Sequence, residues 1–300
     1  MTGKEQRDEP ERKKELLGKN SSVIVDRAVI KNFPADLSKT QCNRELHNYT
    51  LDSIAQSPFV RSMIDFIGHD EPSSCKGFQQ PKCMVFEWMD TDLWQLSSKP
   101  FRSGSGLPRM VARSLLEALA VFDGEDEVHT DLNSEIWEIG IVIRAPEVWK
   151  DIPITPKADI WSLGVTLAHW LAGKTIFGPA DKIVEGLSDH WSIAKLMRLV
   201  GPIGTPDPSK TDIVDEFALA EYFERETFFH HENGLEERFI KVGSIRQELG
   251  KVEGPIERGC IDFIESLLIF DPMRRPSARE ALQNPWFKSS TEYDSDWSVN

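Results

Sequence analysis

No stretch of the 300 residues approaches the about 18 consecutive apolar side chains that a bilayer-crossing helix needs. The first twenty residues, Met1 to Asn20, carry eleven charges of mixed sign and lack the apolar core of a secretory leader. A cytoplasmic or nuclear location, without membrane association, is therefore expected. Cysteine is scarce: Cys42, Cys75, Cys83 and Cys260 form no CxxC pair and follow no regular spacing, so neither a zinc site nor a disulfide framework is implied. Reduced thiols and no structural metal are expected. An excess of basic residues is also missing, because 35 Lys and Arg face 49 Asp and Glu for a net charge of -14. That balance weighs against nucleic acid and anionic lipid as partners and favours neutral or basic polypeptides. No internal repeat is present.

What the chain does have is a 40% apolar content, enough for one large domain or two lobes with real cores. Ser22 to Lys31 is β-branched and partly alternating, which predicts a strand ending on Lys31. Leu46, Tyr49 and Ile54 mark the apolar stripe of a helix around Glu45, stopped before Pro58. Phe59–Gly68 and Lys82–Met89 read as two further strands. Ser97 to Pro108 turns to Ser, Gly and Pro and reads as a loop. Leu107–Phe122 then places apolar residues at 111, 115, 116 and 119, the spacing of an amphipathic helix. Further helices are expected at Ala158–Ala172, Trp191–Val200, Phe217–Glu226, Arg258–Phe270 and Ser277–Asn284.

Strand-rich sequence followed by helix-rich sequence predicts an α+β fold in two lobes, the first small and β-rich, the second larger and helical. The expected division is a charged tail over 1–20, a first lobe over 21–90, a second over 91–288 with a variable insert-like region at 201–255, and a tail over 289–300. His230 and His231 are expected to be a solvated pair rather than metal ligands. The nine tryptophans are expected mostly in the core.

Six segments share one pattern: AVIK at Ala28–Lys31, VFEWMDTDL at Val85–Leu93, HTD at His129–Asp131, RAPE at Arg144–Glu147, DIWSLG at Asp159–Gly164, and DPMRRPSAREALQNPWF at Asp271–Phe287. Together they resemble the motifs of eukaryotic protein kinases of the Ser/Thr type, in the group of cyclin-dependent, MAP and serine/arginine-protein kinases. The resemblance runs from about Val25 to Phe287. It implies a reaction moving the γ-phosphate of ATP, held with Mg2+, to a Ser or Thr hydroxyl of a protein substrate. By that resemblance Lys31 would hold nucleotide phosphates and Glu45 would position Lys31. Glu87 and Met89, after Phe86, would contact adenine through their backbone. Asp131 would accept the hydroxyl proton. Glu147 would pair with Arg275 as a buried structural ion pair, and Asp159 would brace the catalytic loop. A monomer binding a protein substrate or partner is expected.

The departures from that pattern are as informative as the matches. Placing Gly18 first in a glycine-rich GxGxxGxV loop puts Val25 in register but leaves Asn20 and Val23 at the other glycine positions. Only five residues then separate Val25 from Lys31, too few to complete a strand, turn and begin another. After Asp131, the position of the metal-binding asparagine falls on Ile136, and that of a frequent lysine on Asn133. Isoleucine offers no hard oxygen to magnesium.

Thirteen residues, Leu132 to Arg144, separate Asp131 from Ala145; they contain no aspartate, and Glu135 and Glu138 are their only acids. They cannot hold the rest of the catalytic loop, two short strands, a DFG metal site and a substrate-facing loop. No protein metal ligand is therefore assigned. Loss of a general base costs roughly 100 to 10,000-fold and loss of a preorganised electrostatic contact about 100 to 1,000-fold. The reading is a kinase-like chain with impaired or lost phosphotransfer. Its alternatives are a non-catalytic pseudokinase scaffold for a protein partner and a truncated product of an active kinase gene.

Overall fold

The computed structural model describes residues 27–33, 38–68, 82–104, 106–125, 144–230 and 234–288. They form two compact units, dividing between Asp90 and Thr91. Cys75, the tails at 1–20 and 289–300, and the HTD segment fall outside the described residues.

The first unit is built on an antiparallel sheet of β1 (Ala28–Phe33), β2 (Met63–Ile67) and β3 (Lys82–Glu87), in the order β1-β3-β2. β3 lies in the middle, and accordingly Cys83, Met84, Val85 and Phe86 are all buried. β1 alternates, turning Val29, Lys31 and Phe33 to one face. Helix α1 (Ser38–Thr50) covers that face with Cys42, Leu46 and Tyr49, spaced i, i+4, i+7 to form one stripe. They pack with Phe33, Met84 and Phe86, while Met63 and Phe66 contribute from β2. The Tyr49 and Phe86 rings lie 5.4 Å apart. Burial pushes the Tyr49 hydroxyl up to about 12, with the Glu45 carboxylate adding to the shift. A one-turn helix, α2 (Asp52–Ala55), follows and buries Ile54.

Two strand expectations need correction. β1 does not end on Lys31 but continues through Asn32 and Phe33, because these pair with Cys83 and Lys82 on β3. Met63–Ile67 is the strand within 59–68, and its register on β3 shifts between Met63 and Asp65.

The second unit is helical, with one small ribbon. α3 (Leu107–Gly124) starts with Pro108 in its first turn, where a missing amide hydrogen does no harm, and buries Ala112, Leu116, Leu119 and Phe122. The one-turn α4 (Pro146–Trp149) follows. α5 (Lys157–Ala172) is buried on all sides, from Ala158 through Leu171, and is the central strut. α6 (Ser188–Val200) and α7 (Thr211–Arg225) pack side by side. The ribbon β4 (Thr227–Phe229) and β5 (Glu236–Arg238), then α8 (Ile245–Gly250), α9 (Arg258–Leu267) and α10 (Ala278–Ala281) complete the order.

Gly164 sets the approach of α5 to the end of α9. A Cβ there would stand 2.9 Å from Leu268 Cδ2 and 3.1 Å from Leu267 Cβ. Beyond α9, Trp286 stacks on Phe263 at 4.9 Å and Phe287 meets the same ring edge-on at 5.1 Å.

The helices expected at 158–172 and 191–200 are present, each starting slightly earlier. The helix expected at Phe217–Glu226 begins at Thr211; that expected at Arg258–Phe270 stops at Leu267. The last one is a single turn, Ala278–Ala281, followed by a 3-10 turn at Pro285–Lys288. The loop at 97–108 contains a 3-10 turn at Lys99–Phe101. Of the seven described tryptophans, Trp149, Trp161, Trp170, Trp191 and Trp286 are buried, while Trp88 and Trp94 are exposed. Cys42, Cys83 and Cys260 are buried free thiols.

Candidate active site

Lys31 stands in the middle of β1 and points to the α1 side, where Glu45 rises one turn before Tyr49. The Lys31 ammonium donates to Glu45 Oε2 at 2.8 Å, with the two side chains 34% and 28% exposed. The Phe33 ring lies 5.6 Å from the same nitrogen. An apolar floor therefore holds a cation and its carboxylate partner at the surface of the first unit. Such an arrangement fixes a lysine for an anionic group.

At the end of β3 the sequence expectation meets a neighbour it did not contain. Arg61, just before β2, donates from both Nε and Nη2 to the Glu87 carbonyl, at 2.9 and 2.7 Å. The guanidinium also lies over the Phe86 ring at 5.7 Å. The Glu87 carboxylate in turn accepts from the Ser62 amide at 2.9 Å, and the Glu87 amide donates to the Ser62 carbonyl at 3.1 Å. Every polar group of Glu87 is thus engaged within the unit. Trp88 and Met89 beyond it are exposed, and Trp88 donates to Asp90 Oδ1 at 3.2 Å.

In the second unit the structure brings Glu147 of α4 to Arg275. Arg275 Nη1 and Nη2 donate to the two Glu147 oxygens at 2.6 and 2.9 Å, both side chains being fully buried. Arg275 also donates to the carbonyls of Ile269, Lys157 and Phe270 and stacks over Trp161 at 5.2 Å. This bidentate geometry, with the remaining donors satisfied, is what a buried ion pair requires. Asp159 is buried in the first turn of α5. Asp131 lies outside the described residues, as do Asn133, Glu135, Ile136 and Glu138.

No group of three His, Cys, Asp or Glu side chains among the described residues is arranged to hold a metal ion. His230 is partly exposed and its ring lies 6.3 Å from that of Phe228; His231 is outside the described set.

Lys195 and His169 are among the buried basic groups that belong to no motif of the sequence. Lys195 on α6 donates to Asp181 Oδ1 at 2.9 Å, an oxygen also bonded by Trp191 Nε1 at 3.0 Å. Burial pulls the Lys195 ammonium below its ordinary range although Asp181 opposes the shift. His169, inside α5, accepts at Nε2 from the Phe177 amide at 3.1 Å, and its Nδ1 has no partner. Burial, helped by the Lys195 charge, lowers it to about 3.

Comparison with known proteins agrees with this architecture. The family model for the protein kinase domain matches residues 141–287, from just before Arg144 to Phe287. The helical part of this chain is thus similar to the protein kinase domain. Dual specificity tyrosine-phosphorylation-regulated kinase 3 of Macaca fascicularis is 26% identical over 266 residues, covering 71% of this chain and 43% of that protein. Dual specificity protein kinase CLK2 of Homo sapiens is 30% identical over 146 residues, 48% of this chain and 26% of the relative. Mitogen-activated protein kinase pmk-1 of Caenorhabditis elegans is 29% identical over 144 residues, 48% and 32%. The chain spans less than half the length of these curated relatives. The kinase fold class is α+β, with a small sheet and a helical lobe, as the motif string implied.

Proposed function

We propose that this protein-kinase-like chain has lost efficient phosphotransfer and acts through binding. The observation that carries the reading is the thirteen-residue interval Leu132–Arg144, which has no aspartate and no room for a metal-binding DFG. Phosphoryl transfer depends on metal ions that hold the nucleotide and neutralise developing charge; Lys31, Glu45 and Asp131 cannot make up for the missing metal ligands. ATP and Mg2+ are what the family uses, and on this reading their retention here is weak. The Glu87 carbonyl, which adenine would need, already accepts two hydrogen bonds from Arg61. Lys31 and Glu45 retain a geometry suited to a phosphate, so residual nucleotide contact would be made there. The intact Glu147–Arg275 pair and the buried α5 support a folded helical unit available to a protein partner.

The test is twofold. ATP with magnesium at a hundredfold excess over a dissociation constant would raise stability by about 2.7 kcal/mol. No melting shift is expected at millimolar ATP, and no phosphate transfer to a mixed protein substrate. A shift together with transfer would overturn the reading.

A second reading is favoured by the sequence around the interval: the stretch after Asp131 is a deletion relative to an active parent product. The break is abrupt at Leu132–Glu135, and the flanking HTD and RAPE segments are well kept. Sequencing the full transcript decides it. A transcript encoding an NxL and DFG segment restores the enzymatic reading for the parent, whereas one matching this chain leaves the binding reading.

A further inference from the structure

We propose that Thr155 is a phosphorylation site for a separate, proline-directed Ser/Thr protein kinase, presented by an exposed strap between α4 and α5. The sequence holds three Ser/Thr-Pro pairs: Ser57-Pro58, Thr155-Pro156 and Thr205-Pro206. Of these, Thr155 alone has a second proline two places earlier, Pro153.

The structure separates the three further. Ser57 belongs to a tight turn: its amide donates to the Ile54 carbonyl at 3.2 Å, its carbonyl accepts from the Val60 amide at 3.4 Å, and its hydroxyl accepts from the Phe59 amide at 3.3 Å. Thr205 is exposed, but Ile203 and Pro206 on either side of it are buried, so an enzyme would have to draw core residues out. Residues 151–155 are instead all exposed and belong to no helix or strand. Among the described residues neither the Ile154 and Thr155 amides nor the Thr155 hydroxyl has a hydrogen-bond partner.

Both ends of the strap are tied down. Asp151 takes a φ of 51°, and its carbonyl and carboxylate both accept from the Lys210 ammonium, the carboxylate at 2.7 Å. The Ile152 amide donates to the Glu147 carbonyl at 3.0 Å. At the other end the Thr155 carbonyl accepts from the Ala158 amide at 2.8 Å, where α5 begins. Between these ties each proline disfavours the helical conformation at the residue before it, which favours extended backbone at Ile152 and Thr155. An extended segment that is already ordered, with Ile152 and Ile154 38% and 46% exposed, enters a peptide cleft at little entropic cost.

Pro156 selects the class of enzyme. It presents no amide hydrogen after the reacting hydroxyl, so a cleft built to bond that amide is left with an unpaired acceptor, whereas one with an apolar slot there takes the ring. In the reaction the Thr155 hydroxyl oxygen bonds to the γ-phosphorus of ATP and the bond to the ADP oxygen breaks. ADP leaves, and the hydroxyl proton passes to a base of the modifying enzyme.

The folded full chain is incubated with radiolabelled ATP, Mg2+ and a purified, active MAP-type protein kinase. Expected is incorporation approaching a single phosphate per chain, recovered as phosphothreonine in the peptide spanning Thr155, with background labelling when the enzyme is omitted. Thr155→Val should abolish it, and Pro156→Ala should slow it by roughly tenfold. Thr155→Ser should turn phosphothreonine into phosphoserine in the same peptide, which keeps the site testable if melting curves show that Thr155→Val does not fold. No incorporation into the folded chain, an unaltered rate in Pro156→Ala, or labelling of Ser57 or Thr205 as fast as that of Thr155 overturns the proposal. Labelling without the added enzyme overturns it too, by making the chain its own modifier.

Discussion

The Glu147–Arg275 pair gives the sharpest stability prediction, because both side chains are fully buried and linked by two hydrogen bonds of 2.6 and 2.9 Å. Replacing Glu147 with Leu leaves the guanidinium buried without its counter-charge, a loss of about 3–5 kcal/mol. A protein of this class is stable by only about 5–15 kcal/mol, so the variant loses about a fifth or more of its margin. Each kcal/mol corresponds to about 2–4 °C in melting temperature for units of this size, giving a drop of about 6–20 °C.

Arg275→Met is expected to be at least as harmful. It strands Glu147 and also removes the donor to the Ile269, Lys157 and Phe270 carbonyls. The double variant Glu147→Leu/Arg275→Met should recover part of the loss but not all, because those three carbonyls stay unpaired. Urea denaturation of the four proteins forms a double-mutant cycle with a favourable coupling of at least about 1 kcal/mol. A Glu147→Leu loss below about 1 kcal/mol, or purely additive effects, would refute the burial argument.

Three further outcomes follow from single contacts. Folded His169 binds a proton only near pH 3, against an ordinary value of 6.5, so acid favours the unfolded chain in that window. Stability should fall by about 2 kcal/mol from pH 7 to pH 5, and His169→Gln should flatten that slope; an unchanged slope in the variant would remove His169 as its source. Gly164→Ala forces a methyl to 3.1 Å from Leu267 Cβ and should cost about 1–3 kcal/mol in urea, with no loss counting against the close crossing. Arg61→Ala frees the Glu87 carbonyl and should enlarge any ATP-induced melting shift relative to the unaltered chain; an equal shift would show that Arg61 does not obstruct nucleotide.

The strongly patterned parts of the fold are legible in the amino-acid sequence. DIWSLGVTLAHWLA is too continuously apolar for anything but a buried helix, and the Arg275 and Glu147 motifs imply their pairing across 128 positions. Lys31 and Glu45 are likewise brought to 2.8 Å. Other features are present as weak signals. Asn233-Gly234 between ETFF and LEER is a hairpin cue, and Gly234 takes a positive φ of 64°, but strands of three residues, TFF and EER, show too little alternation to be read. Ser244 and Gln247 have the capping-box spacing that starts α8, and both reciprocal bonds form. The start of α7 is hidden because its first turn, Thr211–Val214, holds no fully buried residue and its buried side, Phe217, Ala220 and Phe223, begins later.

Arg61 and Lys195 have no sequence signal. Each owes its role to a partner brought near by folding, the Glu87 carbonyl in one case and the Asp181 carboxylate in the other. The sheet and the helical core thus follow from periodicity, whereas the occupation of the Glu87 carbonyl follows only from geometry.

The central claim is that thirteen residues after Asp131 cannot support magnesium-dependent phosphoryl transfer. The most direct measurement incubates the purified chain with radiolabelled ATP, Mg2+ and a mixed protein substrate, beside Asp131→Ala prepared in the same way. The account predicts equal, background incorporation in both. Magnesium-dependent turnover by the unaltered chain that disappears in Asp131→Ala would contradict it.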